Sequence, residues 1–289
     1  MTQRRDFLKL LGASAVAGAL WPESAFAADD ALFSTHASIR RIGVQLYTVR
    51  DAMQKDGVDA TLAHLARLGF REVEFAGYYN RTGAQIRAAL RANGLASPST
   101  HVQLSQLKGD ELQKLLEVAS TVGHKWLVLA FLMPNDRGSA DKYNAHADLM
   151  LAAQDIAKKS GVTIAYHNHD FEFEPLGNTN GYEILLDRTK GSGIQFEMDL
   201  HWMSAARQDP IAFWTRFPGR FPLVHVKDNG GPPAFEIMPV GSGKINWAAL
   251  FEKRNVAGIK HFYIEHDNPA DPWVSLTSSI GYLKTLRIR

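Results

Sequence analysis

Short runs rich in β-branched and aromatic residues recur along this chain, and each is followed by a stretch whose apolar residues return at helical spacing. The runs are "IGVQLYT" (42–48), "EVEFAG" (72–77), "ASPSTHV" (96–102), "KWLVLAF" (125–131), "TIAYHNH" (163–169), "GIQFEMDL" (193–200), "PLVHVKD" (222–228) and "HFYIEHD" (261–267). Between them the spacing predicts helices over 57–68, 83–93, 110–122 and 141–159, with a closing helix over 276–286. Gly69, Gly94, Gly123 and Gly161 each stand just before the next run, where glycine accepts the left-handed conformation that stops a helix. Strand–helix alternation predicts a parallel sheet, and eight such units predict a single (β/α)8 TIM barrel. The competing doubly wound open sheet would bring a glycine-rich first turn. The segment after the first run reads "YTVRDAMQKDG", with no GxGxxG.

The amino-terminal 27 residues break this rhythm. Arg4 and Arg5 form a charged head, Leu10 to Leu20 an apolar, small-residue middle, and Ala25-Phe26-Ala27 a small-x-small ending of the kind signal peptidase cuts. The apolar middle has about half of the ~20 residues needed to span a bilayer, so a stable membrane span is not expected. The paired arginines followed by Asp6-Phe7-Leu8-Lys9 resemble a twin-arginine (Tat) signal. That resemblance implies the Tat export machinery as a partner, a periplasmic protein and cleavage near Ala27. The expected layout is a signal peptide over 1–27, a leader over 28–38 and a barrel over 39–289.

Composition changes little in this picture. Removing the signal leaves about 260 residues, enough for one large α/β barrel. The hydrophobic share of 45% is ordinary, and the net charge of +2 includes the basic head, so there is no nucleic-acid footprint. The absence of cysteine means a metal would be held without thiolates. Gly241-Ser242-Gly243-Lys244 has a superficial likeness to a phosphate loop, but it neither follows a strand directly nor opens a helix with Lys-Ser/Thr, so nucleotide binding is not expected.

Chemistry concentrates at the ends of the late strands, which read "YHNHD", "EMDLH", "HVKDN" and "YIEHD". In a TIM barrel those carboxyl ends form the active-site face. Strand alternation points His167 with His169, Glu197 with Asp199 and His201, His225 with Lys227, and Glu265 with Asp267. Four successive strands would therefore aim ionisable groups at one mouth, and buried ionisable groups need partners or a metal. His167, Asp199, His225 and Glu265 form the expected metal set. Their mixed nitrogen and oxygen donors suit Mn²⁺, Co²⁺, Zn²⁺, Fe²⁺ or Mg²⁺.

"GVQLYTVRD", "YHNHDFEF", "EMDLHW", "PGRFPLVHVKD", "VGSGKINW" and "FYIEHD" resemble the xylose isomerase-like TIM barrels, the group of sugar phosphate isomerases/epimerases that also holds inosose dehydratase and ketose 3-epimerases. The resemblance runs from about Ile42 to Leu286. It implies a divalent metal held from strands five to eight, and on matching positions it assigns Asp199, His225 and Glu265. Strand five departs from the pattern, since His167 stands where the epimerases carry a glutamate. Those enzymes use two glutamates as a proton-moving pair, and here Glu265 is the one that remains. The resemblance also implies relatives that form dimers or tetramers, so a homo-oligomer is open.

The expected activity is a divalent-metal-dependent sugar isomerase or epimerase that acts on a keto-sugar through an enediolate. A lyase or dehydratase acting on a 3-keto glycoside or inosose by β-elimination shares the first half of that path. A non-catalytic periplasmic carbohydrate-binding barrel is the third alternative. Glu265, Lys227 and His169 are the expected catalytic groups, although a salt bridge from Lys227 to Glu197 or Asp199 is the plain structural alternative. Glu74, His101, Tyr47 and Trp202 are expected to bind the carbohydrate.

Overall fold

A computed structural model describes residues 41–288. The expected signal peptide and the leader over 28–38 lie outside the described residues. Eight parallel strands form the wall: β1 (Gly43–Gln45), β2 (Glu72–Glu74), β3 (Ser99–Val102), β4 (Trp126–Leu129), β5 (Thr163–His167), β6 (Gln195–Asp199), β7 (Leu223–Val226) and β8 (His261–Ile264). Hydrogen bonding runs in the order β2-β1-β8-β7-β6-β5-β4-β3. The remaining seam, β2 against β3, closes through parallel bridges at Glu72–Ala96 and Phe75–Thr100. The barrel is therefore complete, with helices outside it, as the alternation predicts.

The principal outer helices are α1 (Val58–Leu68), α2 (Gly83–Ala92), α3 (Gly109–Val122), α4 (Ala140–Ala157), α5 (Gly181–Arg188), α6 (Pro210–Arg216), α7 (Trp247–Glu252) and α8 (Pro272–Thr285). Each inner face is a stripe. In α3, Leu112, Leu115, Leu116 and Ala119 are buried, one residue per turn against the strands. Polar residues start many of them. Thr82, Asn180, Asn246 and Asp271 each accept a hydrogen bond from a first-turn N–H through the side chain, which fixes where loop becomes helix. Among the described residues no helix is long and apolar enough to cross a membrane.

Inside the barrel, Trp126, Val128, Ala165, Leu223 and Tyr263 form a separate apolar layer. Gly43 makes room for it, because a Cβ there would lie 2.5 Å from a Tyr263 ring carbon. This layer closes the lower barrel and leaves the carboxyl ends of the strands as the open mouth.

The strands are shorter than the β-rich runs. After Gln45 the chain turns into a 3-10 segment (Leu46–Val49), and after Asp199 into a short helix (Leu200–Ala205). Asp199 caps that helix by accepting from Trp202 N at 3.0 Å. Strand alternation consequently stops at Asp199. The expected alignment of His201 with Glu197 and Asp199 is corrected: His201 is buried beside Asn229, with its Nδ1 3.2 Å from Asn229 Nδ2.

The glycine-rich segment after β7 has a structural purpose. Asp228, fully buried, accepts from Gly241 N, Gly243 N, Ile245 N and the Trp247 indole at 2.8–3.2 Å. Its carboxylate sits where a phosphate would sit in a nucleotide loop, and a Cβ on Gly243 would collide with it. The loop's N–H groups are thereby spent on the chain itself.

Candidate active site

A cavity of about 600 Å³ opens at the mouth, lined among others by Tyr47, His101, Phe131, Arg137, His167, His169, Trp202, Lys227, Glu265 and Asp267. All but one of the residues expected at the site line it or lie just beneath. The exception in role is Glu74. It is fully buried under His225, accepts from Gln45 Nε2 at 2.8 Å and from His225 Nε2 at 2.8 Å, and does not reach the cavity. Glu74 thus supports an imidazole and is out of reach of a sugar hydroxyl. His101 does line the cavity, but its Nε2 donates inward to Glu197 Oε2 at 2.7 Å. Tyr47 stands at the rim, 43% exposed, with the Arg50 guanidinium 4.2 Å over its ring.

The ionisable groups fall into two tiers that share His225. In the lower tier Glu197 Oε2 receives His101 Nε2, His167 Nδ1 (3.1 Å) and His225 Nε2 (3.1 Å). Burial alone would push the Glu197 carboxyl up, but the His225 charge and the three imidazole contacts outweigh it and hold it well below the usual carboxylate range. His101 is raised to about 9, because Glu74 and Glu197 overcome the burial that opposes its charge. The sequence offers Glu197 as an inward-facing carboxylate and as a partner for Lys227. Its part as the hub of three histidines needed the relative height of four strands.

In the upper tier, donor atoms of Asp199, His225 and Glu265 lie within 4.8 Å of one another. His225 Nδ1 donates to Glu265 Oε2 at 2.9 Å. Burial disfavours the His225 charge, but Glu197 and Glu265 hold its pKa well above the ordinary value. Lys227 Nζ lies 2.6 Å from Glu265 Oε2, 2.8 Å from Asp267 Oδ1 and 3.0 Å from Asp199 Oδ2. Burial again works against the charge, and the three carboxylates keep the ammonium well above its usual value. Of the two partners the sequence offered Lys227, the geometry selects Asp199.

Both tiers bear on whether these residues fit a cation. His167 donates through Nδ1 to Glu197, which leaves its Nε2 with a lone pair. Burial, and then the neighbouring His225 charge, keep His167 below the ordinary imidazole value, hence neutral. That Nε2 faces Asp199 Oδ2 at 3.7 Å. Asp199 Oδ2 is buried and accepts no hydrogen bond, though the Lys227 ammonium pairs with it at 3.0 Å. Two acceptors facing each other at this distance suit one ion bound by both, for which neighbouring ligand atoms stand about 3–4 Å apart. The carboxylates below hold these imidazoles in place, as outer carboxylates do where imidazoles bind a metal. His167 Nε2, Asp199 and Glu265 therefore offer a donor set that a divalent cation would fit, and His225 would join it on giving up its Nδ1 proton.

His169 forms the cavity wall with Phe171 stacked on it at 5.3 Å, Phe131 edge-on and Trp202 tilted at 5.4 Å. Burial, then the nearby His167 and Lys227, hold it well below the ordinary imidazole value. Its backbone N is anchored to Glu172 Oε2 at 2.7 Å. Arg137, carried by the "NDRGSADKYN" segment, lays its guanidinium 3.7 Å over Phe171. Arg137, Phe171 and Gln103 are lining residues that sequence reading missed. Their loops carry no periodic signal, and only the closed barrel brings them to one place.

The fold has solved counterparts. A sugar phosphate isomerase/epimerase from Parabacteroides distasonis superposes with a TM-score of 0.74 at 23% identity, over 89% of this chain and 97% of its own. A probable 3-DHS dehydratase involved in petrobactin synthesis from Bacillus anthracis gives 0.66 at 11% identity, over 85% and 99%. The IOLI protein, solved with a bound zinc atom, gives 0.66 at 13% identity, over 83% and 95%. At such identities these likenesses speak for the fold. No curated protein matches the sequence. The family model described as the xylose isomerase-like TIM barrel matches residues 45–284, and the chain belongs to that family.

Proposed function

We propose that the protein is a divalent-metal-dependent enzyme that isomerises or epimerises a keto-sugar through an enediolate. The single observation that carries this is the facing pair of acceptors, His167 Nε2 and Asp199 Oδ2, 3.7 Å apart beside His225 and Glu265 at the floor of the cavity. His167, Asp199, His225 and Glu265 would hold a divalent ion there, and it would supply Lewis-acid polarisation of a carbonyl and its neighbouring hydroxyl.

The chain's own groups divide the remaining work. Glu265 is pressed between Lys227 and His225; burial would raise its carboxyl, but those two charges hold it well below the usual range, so it binds cations better than it takes protons. His169 stands on the cavity wall with its Nδ1 unpartnered, where it is placed to accept the proton α to a carbonyl. Lys227 supplies positive charge and a proton donor at the oxygen where negative charge develops. Trp202 and Phe131 provide the apolar wall against which a sugar ring stacks.

A β-elimination is the second reading, and one feature favours it. Strand five offers an imidazole at His167 where a second carboxylate would be needed to return a proton on the opposite face. A one-base site removes and returns the proton on one side, or removes it and expels a leaving group. In either case export by the twin-arginine route would place the reaction on sugars outside the cytoplasm, and the Arg4-Arg5 head supports that part of the proposal.

The test is incubation of metal-loaded protein with keto-sugars and keto-glycosides in D₂O. Carbon-bound deuterium in recovered isomer or epimer supports the first reading. An unsaturated product replaces it with elimination. Binding without exchange from any substrate sinks both and leaves a carbohydrate-binding barrel.

A further inference from the structure

Lys227 touches both carboxylates of the upper tier, and lies closer to each than His225, whose Nδ1 is 2.9 Å from Glu265 Oε2 and 3.9 Å from Asp199 Oδ2. Its ammonium contacts Glu265 Oε2 (2.6 Å) and Asp199 Oδ2 (3.0 Å), and it is 2% exposed. Two buried carboxylates converging on one point are strongly disfavoured without positive charge between them, and Lys227 supplies it together with His225. A divalent ion bound by the same two carboxylates would stand against the ammonium, and like charges at contact distance repel strongly in a buried site. The third contact offers a way out. Asp267 Oδ1 lies 2.8 Å from Nζ, belongs to neither tier, is 22% exposed and lines the cavity. On the same side the Trp202 ring lies 5.6 Å from Nζ, a further cation-binding face.

We infer that Lys227 is a resident counter-cation, which a divalent ion displaces from Asp199 and Glu265 onto Asp267. Metal binding then does two things together: it fills the carboxylate site, and it frees the ammonium toward the cavity, where substrate oxygens lie. The acid is available to substrate only when the metal is in place. This rests on the metal reading above and adds to it a competition that the metal reading alone does not require.

The experiment is a calorimetric titration of Mn²⁺ into wild type, Lys227→Met and Asp267→Asn, with melting temperatures recorded with and without Mn²⁺. Removing the competing charge should tighten Mn²⁺ binding in Lys227→Met by about ten- to a hundredfold, the size a contact charge has on a neighbouring ionisation. Metal-free Lys227→Met should melt below wild type, since its carboxylates are left unpaired, and Mn²⁺ should close that gap. Asp267→Asn, which keeps the ammonium but removes its second berth, should bind Mn²⁺ several-fold more weakly. Equal or weaker binding by Lys227→Met overturns the inference while leaving the metal site intact. Absence of Mn²⁺ binding by all three proteins overturns the metal reading itself, and the inference with it. Should Lys227→Met fail to fold, Asp267→Asn decides alone: unchanged Mn²⁺ affinity there counts against displacement.

Discussion

The two ends of the barrel interior are built from the same kinds of residue and treat them differently. At the floor, polar groups are matched in pairs. Glu72 Oε2 meets His261 Nδ1 at 2.8 Å, Trp126 Nε1 donates to Gln195 Oε1 at 2.7 Å, and Ser99 Oγ donates to the Tyr263 hydroxyl at 2.8 Å. At and just beneath the mouth, Glu74 Oε1, Glu197 Oε1, Asp199 Oδ2 and His169 Nδ1 are buried without a hydrogen bond, and none of the floor groups just named shares that state. Burying an unmatched acceptor costs free energy that a merely structural site would avoid. The contrast teaches that a histidine facing a carboxylate inside a barrel signals nothing by itself. What marks the mouth is buried polar atoms left without hydrogen bonds, Trp202 Nε1 among them.

The sharpest way to break this contrast is at Asp199. Asp199→Asn keeps the shape and the helix cap but removes the charge, and we expect bound metal to be lost and kcat/KM to fall by about a thousandfold, checked by elemental analysis and steady-state kinetics.

Next comes Glu172, a buried carboxyl that neither end of the barrel pairs with a cation. It accepts from the Tyr166 hydroxyl and from His169 N, and burial pushes it up to about 8. Its folded value is raised above the ordinary one of 4.5, so its contribution is fully present below the unfolded value and is lost as pH rises through the folded one. Wild-type stability should accordingly decline from about pH 4.5 to pH 8, by up to roughly 1.4 kcal/mol per pH unit from this group. Urea unfolding of Glu172→Gln across that window should show a flatter profile; a parallel profile would contradict the assignment.

The smallest effect belongs to the floor. Glu72→Gln should cost about 1–2 kcal/mol of stability through the weakened His261 contact, with kcat and metal content unchanged. A large loss of activity there would erase the distinction between the two ends.

Much of the fold was legible because burial on a closed barrel imposes a repeating pattern. Runs such as "KWLVLAF" and "TIAYHNH" sit in the central wall, and glycines such as Gly69 and Gly123 end their helices with positive φ. The strand ends were less legible, since the residues that build the mouth leave the sheet early. His201 shows why: Asp199 spends one carboxylate oxygen on a helix cap, and the chain turns before alternation can carry His201 inward. Glu74 shows a second limit. Its position at a strand end suggested contact with substrate, yet the depth of β2 in the barrel sets it beneath His225.

The eight-unit barrel and the gathering of His167, Asp199, His225 and Glu265 at one face can be read from the chain alone, because period-two alternation and strand order are local and additive. Which nitrogen of each imidazole points up, the three histidines around Glu197 and the sharing of Lys227 among three carboxylates emerge from the folded barrel. Those outcomes depend on the stagger between neighbouring strands, which sets the relative height of side chains far apart in the chain, and no single run of residues encodes that height.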